Sequence, residues 1–150
     1  MIVKGYKMEK NNFEAEIEKI LNDIKEKIIS LVQNAYAPYS KFRVVAALVT
    51  KNSIYFGVNV ENRSFGLTNC AERSAIFSAI SNGDRDFKAI FVYSPDYDDP
   101  IPPCGACRQV ISEFSKDLPI IMLSKDFKYE VITIDKLLPK DSLKELKNNI

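Results

Sequence analysis

Three cysteines in two short segments place the strongest constraint on how this chain can fold. They lie in a CAER motif at residues 70–73 and a PCGAC motif at residues 103–107. Each motif falls at the start of a predicted helix, and Cys104 and Cys107 are spaced so that they share a helix face. The positive end of a helix lowers the pKa of a thiol. The pattern therefore indicates a fold in which two helix starts meet and Cys70, Cys104 and Cys107 bind one Zn²⁺ ion.

The number of cysteines bears on the kind of metal site. The chain contains no histidine, so a transition-metal site must use cysteine or carboxylate ligands. Structural zinc usually has four protein ligands, whereas catalytic zinc has three and leaves a position for water. Three cysteines therefore favour a catalytic site. A carboxylate, or a cysteine of another chain, as fourth ligand is an alternative that the sequence leaves open.

Two charged residues follow the first cysteine directly. Glu72 lies two residues after Cys70, where a carboxylate could take a proton from a zinc-bound water. Arg73 lies three residues after Cys70, on the same helix face. Because Zn²⁺ with three thiolates carries a net negative charge, we expect Arg73 to donate to a ligand sulfur and offset that charge. The alternative for Arg73 is an exposed surface position.

Two other readings of the cysteines remain open at this point. A C-x-x-C pair is typical of thioredoxin-like redox sites, but such a site explains neither Cys70 nor the adjoining Glu72 and Arg73. A purely structural zinc ion is the second alternative.

Length and charge limit the class of protein. We expect residues 1–150 to form a single domain, with residues 1–11 a candidate flexible segment. The 21 basic and 20 acidic residues are mixed along the chain, without the basic stripe typical of nucleic-acid-binding proteins. No apolar run fits a membrane span or a secretory signal. We therefore expect a cytoplasmic protein with a small-molecule substrate and neither nucleic acid nor membrane as partner.

Hydrophobic periodicity and turn signals predict the element order α-β-β-α-β-α-β-β-α. The predicted helices cover residues 13–32, 70–82, 104–114 and 140–148, and the predicted strands cover residues 44–50, 54–60, 87–93, 119–123 and 129–134. Thr68 or Asn69 is the predicted cap of the second helix, and Pro103 is predicted in the first turn of the third. Strands separated by helices favour crossover connections. We therefore expect an α/β fold, a three-layer α/β/α arrangement with a mixed five-stranded sheet.

The chain resembles the cytidine deaminase family in several motifs that occur in the same order. They are PYSKF at residues 38–42, NVEN at 59–62, TNCAER at 68–73, PCGACRQ at 103–109 and LLP at 137–139. The form it resembles is the small homotetramer with a Cys₃ zinc site. The resemblance implies a cytidine deaminase-like fold, a homotetramer, a Zn²⁺ cofactor and Glu72 as the catalytic residue.

The resemblance also implies roles in substrate binding. Phe42 would pack against the pyrimidine, and Asn59 and Glu61 would bind the ribose hydroxyls. The main-chain groups of Ala71 and Cys104 would hydrogen-bond the base. Residues two apart on a strand point the same way, which suits an amide and a carboxylate that bind one sugar diol.

The activity that the resemblance implies is hydrolysis of cytidine and 2′-deoxycytidine to uridine and 2′-deoxyuridine with release of ammonia, in pyrimidine salvage. One alternative is a deaminase of a related nucleoside analogue, such as an aminoacyl-nucleoside antibiotic. Asn59 and Glu61 argue against it because they suit an ordinary ribose. A second alternative is a non-catalytic, zinc-stabilised binding protein, against which Glu72 argues.

The sequence departs from the family pattern at two places. Val45 stands where the family usually has glycine, so we expect packing beneath the site to differ. After the LLP motif the family usually supplies an aromatic residue that reaches the base in a neighbouring subunit. Here the residues that follow are Lys140, Asp141, Ser142 and Leu143, and Leu143 is the candidate apolar replacement.

Overall fold

The computed structural model of the protein describes residues 12–149, so the expectation for residues 1–11 lies outside the described part. Helices α1 to α4 cover Phe13–Leu31, Ala71–Ser81, Gly105–Phe114 and Ile134–Leu137, and strands β1 to β5 cover Val45–Thr50, Ile54–Val58, Phe87–Tyr93, Pro119–Leu123 and Tyr129–Thr133. Short 3₁₀ turns occur at Val32–Asn34, Phe65–Leu67 and Leu146–Asn149. No helix within this part of the chain is long and apolar enough to cross a lipid bilayer.

The strands form one mixed sheet of five strands in the order β2-β1-β3-β4-β5. The β1 and β2 strands form an antiparallel hairpin, with Val49 opposite Ile54. The β3 and β4 strands are parallel, because α3 crosses from the end of one to the start of the next. The predicted α/β fold class is therefore confirmed.

Helices cover both faces of the sheet. All six residues of β1 are buried, and successive residues point to opposite faces. Val45, Ala47 and Val49 belong to a core formed with α1, whereas Ala46 and Leu48 belong to a core formed with α2 and α3. A central strand with apolar residues on both faces is expected where helices cover both sides of a sheet.

The position of Val45 answers a question that the sequence raised. Its side chain is fully buried in the core on the α1 side. The helices α2 and α3, which carry the cysteines, pack on the other face. The side chain of Val45 is therefore accommodated across the sheet from the cysteine motifs.

The starts of α2 and α3 differ slightly from the prediction. The N-cap of α2 is Cys70 and not Thr68 or Asn69, because the backbone N–H and C=O of Asn69 pair with Val60 at 2.9 Å each and keep Asn69 extended. The N-cap of α3 is Cys104, which leaves Pro103 before the helix and not in its first turn. One cysteine therefore lies at the N-cap of α2 and another at the N-cap of α3.

The predicted final helix over residues 140–148 is wrong. After the short helix α4, the chain turns back along α3, and the only helical structure described beyond α4 is the 3₁₀ turn Leu146–Asn149. The Asp141 carboxylate accepts hydrogen bonds from Ser112 Oγ at 2.6 Å, from Gln109 Nε2 at 3.2 Å and from the Leu143 N–H at 3.0 Å. The bonds to Ser112 and Gln109 hold Asp141 against α3, and this tertiary docking replaces the expected helix.

Gly57 on β2 allows the first turns of α2 to lie against the sheet. A Cβ atom at this position would lie 2.3 Å from the Ala71 carbonyl oxygen, 2.5 Å from the Ala75 nitrogen and 2.9 Å from Ser74 Cβ. Two of these contacts involve helix backbone, which cannot move aside alone. Any side chain at Gly57 would therefore push the start of α2 away from the sheet.

We expect Gly57→Ala to lower the free energy of unfolding by about 1–3 kcal/mol, the usual cost of overpacking. Chemical denaturation followed by circular dichroism measures the change. Gly66→Ala is the matched control, because a Cβ there has no heavy atom within 4 Å, and it should change stability by less than about 0.5 kcal/mol. Equal stability of Gly57→Ala and the parent protein would contradict the packing argument.

Candidate metal centre and active site

The three cysteines of the chain meet at one point in the fold. The Sγ atoms of Cys70, Cys104 and Cys107 all lie within 4.8 Å of one another, and those of Cys70 and Cys104 are 3.6 Å apart. Thiolates bound at ~2.3 Å to one tetrahedral Zn²⁺ ion lie ~3.8 Å apart. Soft sulfur donors at this spacing fit Zn²⁺. The structure therefore brings together the three ligands that the sequence predicts.

The cluster is open on one side. Cys107 is buried, Cys70 is half-buried and Cys104 is exposed. Among residues 12–149, no carboxylate oxygen belongs to this group of potential ligands. An exposed ligand and three sulfur donors leave room for a small molecule beside the metal position, as a catalytic zinc site requires.

Arg73 makes the contact that its spacing predicts. Its Nη2 atom donates to Cys70 Sγ at 3.2 Å. Burial lowers the pKa of Arg73, but hydrogen bonds to the sulfurs of Cys70 and Cys107 outweigh it and raise the pKa overall. A hydrogen bond from Cys107 and the contact with Arg73 lower the pKa of Cys70 to about 5. The guanidinium therefore lies where it can stabilise thiolate charge.

Glu72 lies next to the cluster in a protected position. Its side chain is only 4% exposed. Burial, followed by the nearby Cys70 charge, raises the pKa of this carboxyl to about 7. A bound divalent cation would act in the opposite direction and favour the carboxylate. A group poised near neutral pH can both accept and donate a proton.

A cavity of about 830 Å³ opens beside the cluster. Its walls include seven residues that the sequence analysis selected: Phe42, Asn59, Glu61, Cys70, Ala71, Glu72 and Cys104. The remaining walls are largely apolar and include Val44, Phe65 and Ile101. A concave, mostly apolar site with a few polar groups is typical of small-molecule binding.

Asn59 also supports the cavity wall, which the sequence analysis did not foresee. Its Nδ2 atom donates to the Phe42 carbonyl at 2.7 Å, and its Oδ1 atom accepts from the Val44 N–H at 2.8 Å. The amide retains one N–H and one lone pair for a ligand. Asn59 is therefore placed to hold Phe42 and to contact a ligand in the cavity.

Glu61 is held by a residue of the PYSKF motif. Its carboxylate accepts from Ser40 Oγ at 2.6 Å and from the Ser40 N–H at 3.2 Å. These hydrogen bonds lower the pKa of Glu61. Sequence reasoning missed Ser40 as a partner, although its place in the same motif as Phe42 was a usable signal.

Arg108 is a further residue that the sequence analysis missed. It lies one helical turn after Cys104, the N-cap of α3, so the two residues are neighbours on one side of the helix. Its Nε atom donates to the Pro103 carbonyl at 2.9 Å and its Nη1 atom to the Leu137 carbonyl at 3.2 Å. Arg108 therefore fixes the segment before Cys104 to the end of α4.

Comparisons with known proteins agree with this geometry. The family model of the cytidine and deoxycytidylate deaminase zinc-binding region matches residues 18–122. A cytidine deaminase of Sporosarcina psychrophila is 44% identical over 132 residues, which are 87% of this chain and 93% of the relative. A crystal structure of cytidine deaminase from Burkholderia pseudomallei has a TM-score of 0.73 and 44% identity, and the match covers 79% of this chain and 96% of that chain.

A more distant relative bears a different name. Blasticidin-S deaminase of Bacillus cereus is 34% identical over 122 residues, which are 76% of this chain and 83% of the relative. The region matched by the family model contains all three cysteines and Glu72. The protein therefore belongs to the cytidine and deoxycytidylate deaminase family of zinc-binding proteins.

Proposed function

We propose that the protein is a hydrolase that deaminates cytidine and 2′-deoxycytidine to uridine and 2′-deoxyuridine and releases ammonia. The observation that carries the proposal is the buried Glu72 carboxyl beside three clustered cysteine sulfurs, with Glu72, Cys70 and Cys104 lining one cavity. Relatives named cytidine deaminase that match most of the chain support the substrate class.

The cofactor is Zn²⁺, and Cys70, Cys104 and Cys107 are the proposed ligands. When bound, Zn²⁺ supplies Lewis-acid chemistry that makes a water molecule acidic near pH 7. Arg73 offsets the negative charge of the sulfur ligands through its contact with Cys70. The N-terminal ends of α2 and α3 add partial positive charge on the same side.

Glu72 is the proposed proton carrier. In the overall reaction a water oxygen bonds to C4 of the pyrimidine, the bond from C4 to the amino nitrogen breaks, and ammonia leaves. Glu72 takes one proton from the attacking water and gives it to N3, and it then takes the second proton from the new C4 hydroxyl and gives it to the amino nitrogen, which leaves as ammonia. Its burial limits proton exchange with bulk water and raises its pKa, whereas a nearby divalent cation favours the carboxylate that accepts the first proton.

The cavity walls orient the substrate. We place the pyrimidine against the Phe42 ring, with its polar edge toward the main-chain groups of Ala71 and Cys104. Ala71 is the first residue of α2 and Cys104 is the N-cap of α3, so their N–H groups have no helical partner. We place the ribose hydroxyls at Asn59 and Glu61. The Asn59 amide can donate and accept hydrogen bonds, and the Glu61 carboxylate can accept them.

The proposed setting is pyrimidine salvage in the cytoplasm, with nucleosides and not nucleic acid or membranes as partners. A reducing compartment suits three free cysteines. We also propose a homotetramer. Large apolar side chains near the cavity mouth are exposed, Phe65 by 75% and Leu67 by 71%, as expected for an interface. Sedimentation equilibrium measures the assembly.

A second candidate is deamination of a nucleoside analogue. The similarity to a relative named blasticidin-S deaminase favours testing it. Asn59 and Glu61 line the cavity, which favours an unmodified ribose. The ratio of kcat/KM for cytidine to that for blasticidin S decides between the two candidates.

Glu72→Gln should retain zinc and lose activity, because an amide has the shape of the carboxyl but cannot carry its proton. We expect about one zinc ion per chain and a fall in kcat for uridine formation of about 10²–10⁴-fold. Glu130→Gln, on the exposed surface of β5, is the matched control and should retain wild-type kcat. Wild-type kcat in Glu72→Gln would refute the proton role, whereas parent protein that forms no uridine would refute the proposed function.

Arg73→Ala should raise the pH at which zinc is released. The contact with Arg73 lowers the pKa of Cys70, and a lowered pKa preserves the thiolate to lower pH. Without Arg73, protons therefore displace zinc from the Cys70 sulfur at a higher pH. Acid titration of the zinc-loaded protein with a chromogenic zinc indicator measures the midpoint. Arg85→Ala, at an exposed position in the connection between α2 and β3, is the control. Equal midpoints for Arg73→Ala and the parent protein would assign Arg73 no part in charge compensation.

A further inference from the structure

Asp96 receives three hydrogen bonds from a single residue, Arg43. The Arg43 backbone N–H and Nε atom each donate to Asp96 Oδ2 at 2.9 Å, and Nη2 donates to Oδ1 at 2.7 Å. The fork of the guanidinium matches both carboxylate oxygens. The two residues are 53 positions apart in the chain, so the pair joins two separate segments.

The first of these segments carries the proposed base-packing residue. Phe42 precedes Arg43 in the segment that leads into β1. Asn59 binds the Phe42 carbonyl and the Val44 N–H, while Asp96 binds the N–H of Arg43 between them. Consecutive backbone groups on residues 42–44 are thus held by two side chains from different parts of the fold. Both side chains therefore hold the backbone that carries Phe42.

The second segment leads to the cysteine cluster. Asp96 lies in the connection between β3 and α3, which ends at Cys104. The neighbouring Tyr97 ring makes an edge contact with the Phe42 ring at a centroid distance of 6.3 Å. The Arg43–Asp96 pair therefore links the wall that would hold the pyrimidine to the connection that carries a metal ligand.

We infer that Arg43 and Asp96 are positioning residues that set the separation between Phe42 and the cysteine cluster, and thereby the fit of the pyrimidine between them. This inference rests on the proposed function. Neither residue is among those that line the cavity of about 830 Å³, so the pair acts through Phe42 and not on the substrate. The side chains of Arg43 and Asp96 are 43% and 25% exposed, and exposed ion pairs contribute little to global stability. Loss of the pair should therefore alter substrate fit without unfolding the protein.

The test is a double-mutant cycle in the full-length, zinc-loaded protein, with kcat and KM measured for cytidine. We expect Asp96→Ala to raise KM about tenfold and to change kcat by less than about threefold, since the metal centre and Glu72 remain in place. Arg43→Ala should raise KM less, because its backbone N–H still reaches Asp96. The double variant should resemble Asp96→Ala alone, as expected for residues that act as a unit.

Asp98→Ala is the matched control in the same connection. Asp98 pairs with Lys125 at 2.5 Å and is 81% exposed, and its loss should leave KM unchanged. Zinc content and thermal unfolding are measured for every variant. They distinguish a change in substrate fit from unfolding of the protein or loss of the metal. The inference is overturned if Asp96→Ala has the parent KM, or if Asp98→Ala raises KM equally. Parent protein that forms no uridine from cytidine would instead overturn the proposed function on which the inference rests.

Discussion

The N-terminal ends of two helices meet at three sulfur atoms. The negative charge of the thiolates and the positive charge placed around it explain the other features of the site. Thiolates within 4.8 Å of one another repel unless positive charge lies close to them. The N-caps of α2 and α3 are themselves ligand candidates, Cys70 and Cys104, so both helix dipoles point their positive ends at the cluster. The arrangement depends on how closely α2 lies on β2, and Gly57 permits that approach.

The sequence correctly predicted the features that depend on the spacing of nearby residues. Arg73 reaches Cys70 because residues three apart share a helix face, and the contact is present at 3.2 Å. The order of strands and helices up to β5 follows from periodicity and turn residues. The start of α2 lies one or two residues later than predicted because a tertiary pairing between Asn69 and Val60 keeps Asn69 extended. No sequence pattern within the helix indicates such a pairing.

Contacts between distant segments account for what the sequence did not predict. Residues 140–148 have helical periodicity, yet Asp141 binds side chains of α3, so docking replaces the expected helix. Asn59 was assigned to ligand binding alone, whereas its amide also bonds the backbone around Arg43. The joining of Arg43 to Asp96 likewise requires knowledge of which loops are neighbours. Sequence motifs identified residue types for the chemistry, and the fold determined which of them also support one another.

The two glutamates of the cavity show how environment divides the chemical work. Both Glu61 and Glu72 are at most 9% exposed, yet their pKa values shift in opposite directions. Burial dominates at Glu72 and raises its pKa to about 7, whereas hydrogen bonds from Ser40 dominate at Glu61 and lower its pKa. At neutral pH one carboxyl can therefore exchange protons while the other stays a fixed anion that accepts hydrogen bonds. Opposed shifts within one cavity are the pattern expected where one acid performs proton transfer and the other binds substrate. Because Ser40 and Phe42 belong to the same motif, the segment that would hold the pyrimidine also lowers the pKa of Glu61, so the proposed base and sugar sites share one structural support.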